Sequence, residues 1–312
     1  MFNCLIKCLI NIFLCFFGKN KLSILTYHRV GRSGNAIAMD EKLFEQHLVW
    51  INRYFTPIDL AEGLALQAKG GLPRGAVAIT VDDGYSDSYN TIFPLLTKHQ
   101  LKATFFISTS GFETGYLWDE LVAFIIMTTK VTEITFNHKK YSLLTEKARV
   151  DFLIDCLSSI KYKKITERDT FIEQLAIQCK QKDTPQKFLT KKQTIELYKS
   201  GMGIGSHTHT HPILLKENKD IALYEIKQSK LILEDILKSP ITYFAYPNGK
   251  FGVDFDVTHI NMVKKVGFLA ALSTDKGVLK DQQTEGFHIK RFTPWDETEL
   301  KFVLRLALNY CQ

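Results

Sequence analysis

The sequence of 312 residues predicts an α/β protein built on a parallel sheet or barrel. Short apolar runs rich in β-branched residues alternate with longer segments in which apolar residues recur at helical spacing. The runs predicted as strands are residues 22–27, 76–81, 103–107, 202–206, 242–245, 269–273 and 287–291. Most polar side chains that could carry chemistry follow the carboxyl end of one of these strands, where α/β barrels build their active sites.

The second predicted strand ends in two adjacent carboxylates, Asp82 and Asp83. Burial and mutual repulsion both disfavour two ionised acids at the end of a buried strand, so a cation or a role in proton transfer is needed to compensate them. Gly84 permits the sharp turn that exposes both acids. The alternative is an ordinary strand end with an acidic residue that caps the next helix.

Three histidines alternate along residues 203–212, Gly-Ile-Gly-Ser-His-Thr-His-Thr-His-Pro. Imidazole is the commonest protein metal ligand near neutral pH, and two histidines four residues apart with one carboxylate from elsewhere form a three-ligand site with an open position. A single histidine is more often structural, but three within five residues after a short strand are difficult to explain by packing. Together with the acidic strand end, the pattern predicts a metal site.

Three stretches resemble the motifs of the NodB-type polysaccharide deacetylases, carbohydrate esterase family four. Thr80–Gly84 is similar to the T-F-D-D-G signature, His207–Pro212 to H-[S/T]-x-x-H-P, and Phe244–Gly249 to R-x-P-Y-G. The similarity extends from about residue 22 to about residue 293, with an interruption after residue 112. The resemblance implies a distorted (β/α)7 barrel of the NodB homology type and an N-deacetylase activity.

The resemblance also implies a role for each acid and for two of the histidines. Asp83, His207 and His211 would hold one divalent metal, with Zn²⁺ as the first choice, although Co²⁺ or Ni²⁺ suits the same ligands. Asp82 would act as the general base, and the nearby cation would keep it ionised. His209 is not a ligand in the family's pattern.

The third motif departs from the family's pattern at two positions. Ala245 stands where the family has an arginine that orients the base, and Asn248 stands where it has a tyrosine. We expect Tyr246, Pro247 and Asn248 to form the substrate and oxyanion site, since the oxyanion role uses a backbone N–H that Asn248 retains. Arg291, at the end of the seventh predicted strand, is our hypothesis for the missing partner of the base; the alternative is a surface salt bridge.

A deacetylase must also protonate the departing amine, and histidine is the usual general acid near neutral pH. Most of the family carries this histidine late in the chain, where the candidates here are His259, in a predicted helix, and His288. His288 lies near the start of the seventh predicted strand. We therefore expect it at the end of the barrel opposite to a site built at the carboxyl ends of the strands. His28 instead ends the first strand, an order that resembles the circularly permuted branch containing poly-N-acetylglucosamine deacetylases. We therefore expect His28 to be the acid; the alternative is a structural histidine.

Residues 22–312 are predicted to form a single deacetylase barrel domain with an insertion at about residues 111–190. The regular alternation stops in the insertion, which is predicted to be mainly helical with a small hairpin at residues 133–143. It either forms part of a substrate cleft or lid or is a solvated elaboration without a direct role.

Residues 1–21 form an apolar, basic segment without an acidic residue. The apolar run is too short and too interrupted to predict a spanning helix, and no small-residue cleavage site follows it. We expect the segment to associate with a membrane surface, although a helix packed on the core is an alternative. The lysines after the run favour the cytoplasmic face. The other location is periplasmic or extracellular, with an uncleaved anchor.

Charge and cysteine content narrow the class of protein. The net charge is +7, but residues 1–39 carry five of these charges, so the remainder is close to balanced and does not indicate a nucleic-acid groove. The six cysteines include no C-x-x-C pair, which argues against a disulfide framework.

The sequence therefore predicts a metal-dependent hydrolase that removes N-acetyl groups from N-acetylhexosamine units of a surface polysaccharide or a lipid-linked glycan precursor. Two alternatives remain. One is a non-catalytic carbohydrate-binding protein of the same fold, which the intact acids and histidines disfavour. The other is a metal amidohydrolase of a small non-sugar amide, which the apolar N-terminal segment disfavours.

Overall fold

The computed structural model describes residues 2–31 and 38–312 of the protein. Its centre is a barrel of seven strands, each paired in parallel with the next in chain order. The strands are β1 Leu22–Tyr27, β2 Ala76–Val81, β3 Ala103–Ile107, β4 Gly203–Ser206, β5 Tyr243–Ala245, β6 Ala270–Lys276 and β7 Ile289–Arg291. Phe292, directly after β7, accepts a hydrogen bond from the Thr26 N–H (3.0 Å) and donates one to the Ile24 C=O (2.7 Å). These two bonds bring the last strand to the first, and the predicted α/β barrel is confirmed.

Helices surround the barrel and connect its strands. They are α1 Phe2–Phe17, α2 Glu41–Tyr54, α3 Leu60–Ala68, α4 Phe93–Lys98, α5 Gly111–Thr114, α6 Trp118–Thr128, α7 Glu146–Ile160, α8 Ile165–Gln178, α9 Lys191–Lys199, α10 Lys219–Leu237, α11 Val257–Val266, α12 Gln282–Glu285 and α13 Glu299–Asn309. Side chains that cap their first turns include Asp40, Asp59, Thr190, Asn218 and Asp256. Each accepts from a backbone N–H that the helix start would otherwise leave unpaired.

The helical connection between β2 and β3 is divided into two parts. A π-helical turn, Ser88–Ile92, precedes α4, and Pro94 therefore lies in the first turn of an α-helix. Proline is tolerated there because the N–H it lacks has no partner within the helix.

Alternate side chains of the strands fill the barrel interior. One buried cluster includes Ala78, Phe106, Ala245, Leu272 and Ile289, from β2, β3, β5, β6 and β7. Side chains from strands on all sides of the barrel meet in this way only when they point inward. Gly205 of β4 leaves room for the Phe106 ring, against which a Cβ atom would clash. The same alternation continues past the strands, so Asp82 after β2 and His207 after β4 also point inward.

The N-terminal helix α1 packs against α2 and α13. Its residues Ile10 and Leu14 are buried in the main hydrophobic core. Its other face exposes Leu9, Ile12 and Phe16, which are 57%, 52% and 77% exposed. In the part of the chain that is described, no helix is both long enough and apolar enough to cross a bilayer. The helix is thus attached to the barrel on one side and presents apolar surface on the other.

The insertion folds around a small core of its own, between α6, α7, α8 and a hairpin of Glu133–Phe136 with Lys139–Ser142. The core includes Val122, Ile126, Phe152, Cys156, Ile172 and Leu175. Where the chain returns to the barrel, Phe188 forms a bridge with Tyr85 and lies so close to Gly84 that a Cβ atom there would meet its ring at 2.8 Å. The insertion is therefore anchored directly beside the acid pair.

Candidate functional site

The acid pair lies at the carboxyl end of the barrel, directly after β2. Asp82 is 1% exposed and Asp83 is 8% exposed. The backbone leaves the strand in the left-handed region, with φ of 79° at Asp83 and 98° at Gly84. Asp82 keeps the inward direction of the strand, whereas Asp83 takes the new direction of the turn. Two adjacent carboxylates can therefore reach different partners.

Arg291 pairs with Asp82 inside the barrel. Its Nη1 and Nη2 donate to Oδ1 and Oδ2 of Asp82 at 2.8 and 2.7 Å, and both residues are 1% exposed. The guanidinium also donates to the Thr80 hydroxyl at 3.1 Å and to the Ser273 C=O at 2.8 Å. A bidentate pair fixes the orientation of the carboxylate as well as its charge. The arginine that the sequence suggested as the partner of Asp82 does contact it.

An exposed histidine lies next to this buried pair. The Nε2 atom of His28 is 4.0 Å from Oδ2 of Asp82, and the His28 side chain is 45% exposed. Burial acts to raise the pKa of Asp82, but the Arg291 guanidinium, with His207 and His28, lowers it, and the net direction is downward. The site therefore combines an ionised, oriented carboxylate with an imidazole open to solvent.

Asp83 faces the two histidines that the sequence assigned to a metal. The Nε2 atoms of His207 and His211 lie 3.5 and 3.3 Å from Oδ1 of Asp83. The three ligand atoms are within 4.8 Å of one another, and no other cluster of three or more such side chains is found among the described residues. The Nδ1 atom of His207 is 2.7 Å from the Ala245 C=O, to which it donates.

This donor set fits a divalent metal. Oδ1 of Asp83 is buried and has no hydrogen-bond partner within residues 2–31 and 38–312. Because the Nδ1 atom of neutral His207 carries the ring proton, its Nε2 atom, which faces Asp83, presents a lone pair. A carboxylate and imidazole lone pairs that converge without a proton between them fit a cation, and nitrogen with oxygen ligands suits Zn²⁺.

Glu225 of α10 holds the histidine loop in place, although no pattern in the sequence indicated this role. Its Oε2 accepts from the N–H groups of His209 (2.9 Å) and Thr210 (2.7 Å), and its Oε1 accepts from the Thr210 hydroxyl (2.9 Å). Thr208 and His211 have φ of 66° and 57°, a region that is costly for residues other than glycine. Burial raises the pKa of Glu225, against the effect of the bonds from Thr210. These buried bonds hold the loop in the conformation that presents its histidines.

The insertion also contacts the histidine loop. Trp118 donates through Nε1 to the His211 C=O at 3.3 Å, and Arg168 donates to the Thr210 C=O at 3.3 Å. The Arg168 guanidinium lies 5.2 Å from the Trp118 ring. A cavity of about 320 Å³ lies between the insertion and the loop. The insertion thus borders the histidine loop.

A second group of contacts joins the insertion to the end of β1. Arg29, which follows the histidine at that end, pairs with the buried Glu120 and lies 3.5 Å from Asp87. Its guanidinium is 4.3 Å from the Tyr85 ring, and the Tyr85 hydroxyl donates to Asp119 at 2.5 Å. These residues were not identified from the sequence either. They fix the position of the first strand end relative to the acids.

The three residues expected at the oxyanion site differ in what they can offer. Tyr246 is fully buried, its ring stacks on Phe255 at 3.7 Å, and its hydroxyl donates to the Phe287 C=O at 3.1 Å. Pro247 has no N–H. The Asn248 N–H has no acceptor among the described residues, and φ there is 56°. Of the three, Asn248 is the one with a backbone donor left for a ligand.

The two late histidines have other partners. His259 is buried in α11, where Nδ1 lies 2.8 Å from Asp256. His288 lies 2.6 Å from Asp275, and its ring is stacked at 4.9 Å on Phe251 of the loop after β5. Our expectation that His288 lies at the opposite end of the barrel is wrong, because β7 is short and begins level with the last residue of β5. Neither residue pairs with the buried base.

Comparison with known proteins identifies the family. A model of the polysaccharide deacetylase family matches residues 69–271. The putative polysaccharide deacetylase YxkH of Bacillus subtilis (strain 168) is 23% identical over 277 residues, which are 88% of this chain and 72% of that protein.

Two solved structures share the fold. The Streptococcus pyogenes deacetylase PplD in complex with acetate has a TM-score of 0.62 and 19% identity, covering 92% of this chain and 98% of its own. IcaB from Ammonifex degensii has a TM-score of 0.61 and 17% identity, covering 92% and 97%. Since the family model covers more than half of the sequence, this chain belongs to the polysaccharide deacetylase family and is a deacetylase, which is a hydrolase.

Proposed function

We propose that the protein is a metal-dependent deacetylase that removes N-acetyl groups from N-acetylhexosamine units of a surface polysaccharide or a lipid-linked glycan precursor. The observation that supports this most directly is the convergence of Asp83, His207 and His211 beside the Asp82–Arg291 pair. Amide hydrolysis needs an activated water molecule, a stabilised oxyanion and a protonated leaving amine, and the site offers a group for each.

Asp83, His207 and His211 would hold one divalent ion, by our proposal Zn²⁺, with Co²⁺ or Ni²⁺ as substitutes. When bound, the ion would polarise the acetyl carbonyl and lower the pKa of water. Asp82 accepts the proton of the attacking water. Its bond to Arg291 keeps the carboxylate ionised and in one orientation while it does so.

His28 donates the proton that the departing sugar amine requires. Its exposed ring lies 4.0 Å from Asp82, so acid and base are neighbours at the rim where β1 and β2 end. The backbone N–H of Asn248 stabilises the oxyanion of the tetrahedral intermediate. Amide donors that are fixed before the reaction act most strongly on charge that develops in the transition state.

We also propose that residues 1–21 attach the protein to a membrane surface, on the cytoplasmic face. The support is the apolar stripe of Leu9, Ile12 and Phe16 on α1, together with Lys7 on the helix and Lys19 two residues after its end. Apolar side chains with flanking lysines are typical of helices that lie in the interface of an anionic bilayer.

The metal assignment predicts that one divalent ion binds per chain and is lost from His207→Ala and His211→Ala. Each variant lacks one of three ligands, so deacetylation of N-acetylglucosamine oligomers falls with the metal content. Elemental analysis of the purified protein and an acetate-release assay measure the two effects. His209→Ala is the matched control in the same loop and keeps the ion; full metal occupancy in His207→Ala would contradict the assignment.

For Arg291→Ala we expect kcat to fall on the order of 10²-fold with metal content unchanged, because the base loses its orientation. The unpaired, buried Asp82 also costs about 3–5 kcal/mol of stability. Arg53→Ala, which removes a partly exposed pair with Glu299, is the control and costs at most about 1 kcal/mol. Unchanged turnover in folded Arg291→Ala would rule out the orienting role.

The assignment of the general acid predicts that His28→Ala loses turnover by a factor on the order of 10²–10⁴ and still binds metal. His288→Ala remains largely active, because its ring pairs with Asp275 and not with the base. Kinetics with metal analysis on both variants distinguish the two histidines. The opposite pattern of loss would transfer the acid role to His288.

Replacing Leu9, Ile12 and Phe16 together by Ser removes three exposed apolar side chains of α1, and binding to anionic lipid vesicles should weaken at least about tenfold. Co-sedimentation with vesicles measures this. The control replaces Leu144, Ile154 and Ile177 of the insertion, which are also exposed, and leaves binding unchanged. Equal binding of the α1 variant and the wild type would exclude this surface as the attachment site.

A further inference from the structure

A cleft of about 550 Å³ lies where β6 and β7 end. In the order of the strands around the barrel, it is on one side of the acid pair and the histidine loop is on the other. The side chains in its wall that matter for charge and stacking are Lys250, Asp275, Lys276, Arg291, Trp295 and Arg305. Arg291 is the residue that pairs with Asp82, so the cleft adjoins the proposed base through this one side chain.

The wall of the cleft carries four cationic side chains, and only the two arginines among them are paired with carboxylates. Lys250 and Lys276 are exposed, and neither forms an ion pair within 4.0 Å among the described residues. The one carboxylate in the wall, Asp275, already interacts with the His288 ring at 2.6 Å and with the Phe251 N–H at 3.2 Å. Two ammonium groups that share a concave surface without a carboxylate of their own favour an anionic ligand.

Trp295 adds an aromatic surface beside these cations. It is 66% exposed, which is unusual for the largest apolar side chain. The Arg305 guanidinium lies 4.0 Å from its ring and is itself 3.2 Å from Asp296. The arginine holds the indole in place, and the exposed part of the ring offers a flat surface to a sugar next to the anion.

We propose that this cleft binds a phosphate group attached to the acetylated sugar, so that the substrate class is a phosphate-bearing N-acetylhexosamine conjugate. Lysine ammonium groups bind phosphate oxygens as point charges. The inference rests on the proposed deacetylase function and names the substrate of that same site. A sugar phosphate of a lipid carrier and a phosphodiester within a polymer present the same chemistry.

The test compares kcat/KM for a neutral N-acetylglucosamine oligomer with that for N-acetylglucosamine 1-phosphate and its phosphodiesters, on the metal-loaded full chain. We expect the phosphorylated substrates to be preferred about tenfold through KM. Lys250→Gln with Lys276→Gln removes this preference and leaves kcat and the neutral substrate unchanged. The control, Lys42→Gln with Lys265→Gln, changes the same charge at exposed positions on α2 and α11. Equal kcat/KM for both substrates, or a loss on both in the double variant, would overturn the inference.

A binding measurement separates this inference from the deacetylase proposal. Calorimetry with N-acetylglucosamine 1-phosphate on metal-free protein detects the cleft without turnover. Binding that disappears in Lys250→Gln with Lys276→Gln supports the inference even if no substrate is hydrolysed, and binding that is equal in both proteins overturns it. Comparing a lipid-linked phosphodiester with a water-soluble one then assigns the source of the phosphate.

Discussion

Two adjacent buried carboxylates determine the arrangement of the whole rim. Burial disfavours the ionised form of both Asp82 and Asp83, so each needs a group that compensates its charge. The backbone divides them, since Asp82 follows the inward side of β2 and Asp83 follows a left-handed turn. Arg291 comes from β7 and the histidines come from the loop after β4, on opposite sides of β2 in the barrel. Closing the barrel is therefore a condition for charge balance as well as for packing.

The rest of the site is held in place by groups that bond to backbone atoms of the histidine loop. Glu225 fixes the histidine loop through backbone N–H groups, and Trp118 of the insertion bonds to the carbonyl of its last histidine. Both act on backbone atoms, so they restrict the loop without competing for the ligand atoms of the imidazoles. Because buried bonds of this kind orient metal ligands, the insertion contributes to the site even where it contributes no ligand.

Sequence reasoning succeeded where a local pattern carried the information. The strands that end at the acids and at the histidines are short, apolar and bounded by turns, and their carboxyl ends had to meet in a parallel barrel. The partner of Asp82 could be predicted, because Ala245 stands where the family has the arginine that orients the base and Arg291 ends another strand. Glu225 gave no such signal, since an acid on an amphipathic helix normally faces water. The burial of Tyr246 was also hidden, because it depends on Phe255, nine residues further along.

The helix α13 contacts both the N-terminal helix and the basic cleft. α13 packs against α1 and carries Arg305 into the wall of the cleft, and Trp295 precedes the same helix. A protein held at a bilayer through α1 would therefore keep α13 close to the lipid headgroups. A glycan linked by phosphate to a lipid would bring its anion to that level of the membrane. Since Arg291 connects the cleft to the base, an anion bound there would set the distance between the membrane and the acetyl group that is cleaved. The surface for membrane attachment, the substrate cleft and the catalytic acids would then lie one after another, from α1 through α13 to the strand ends.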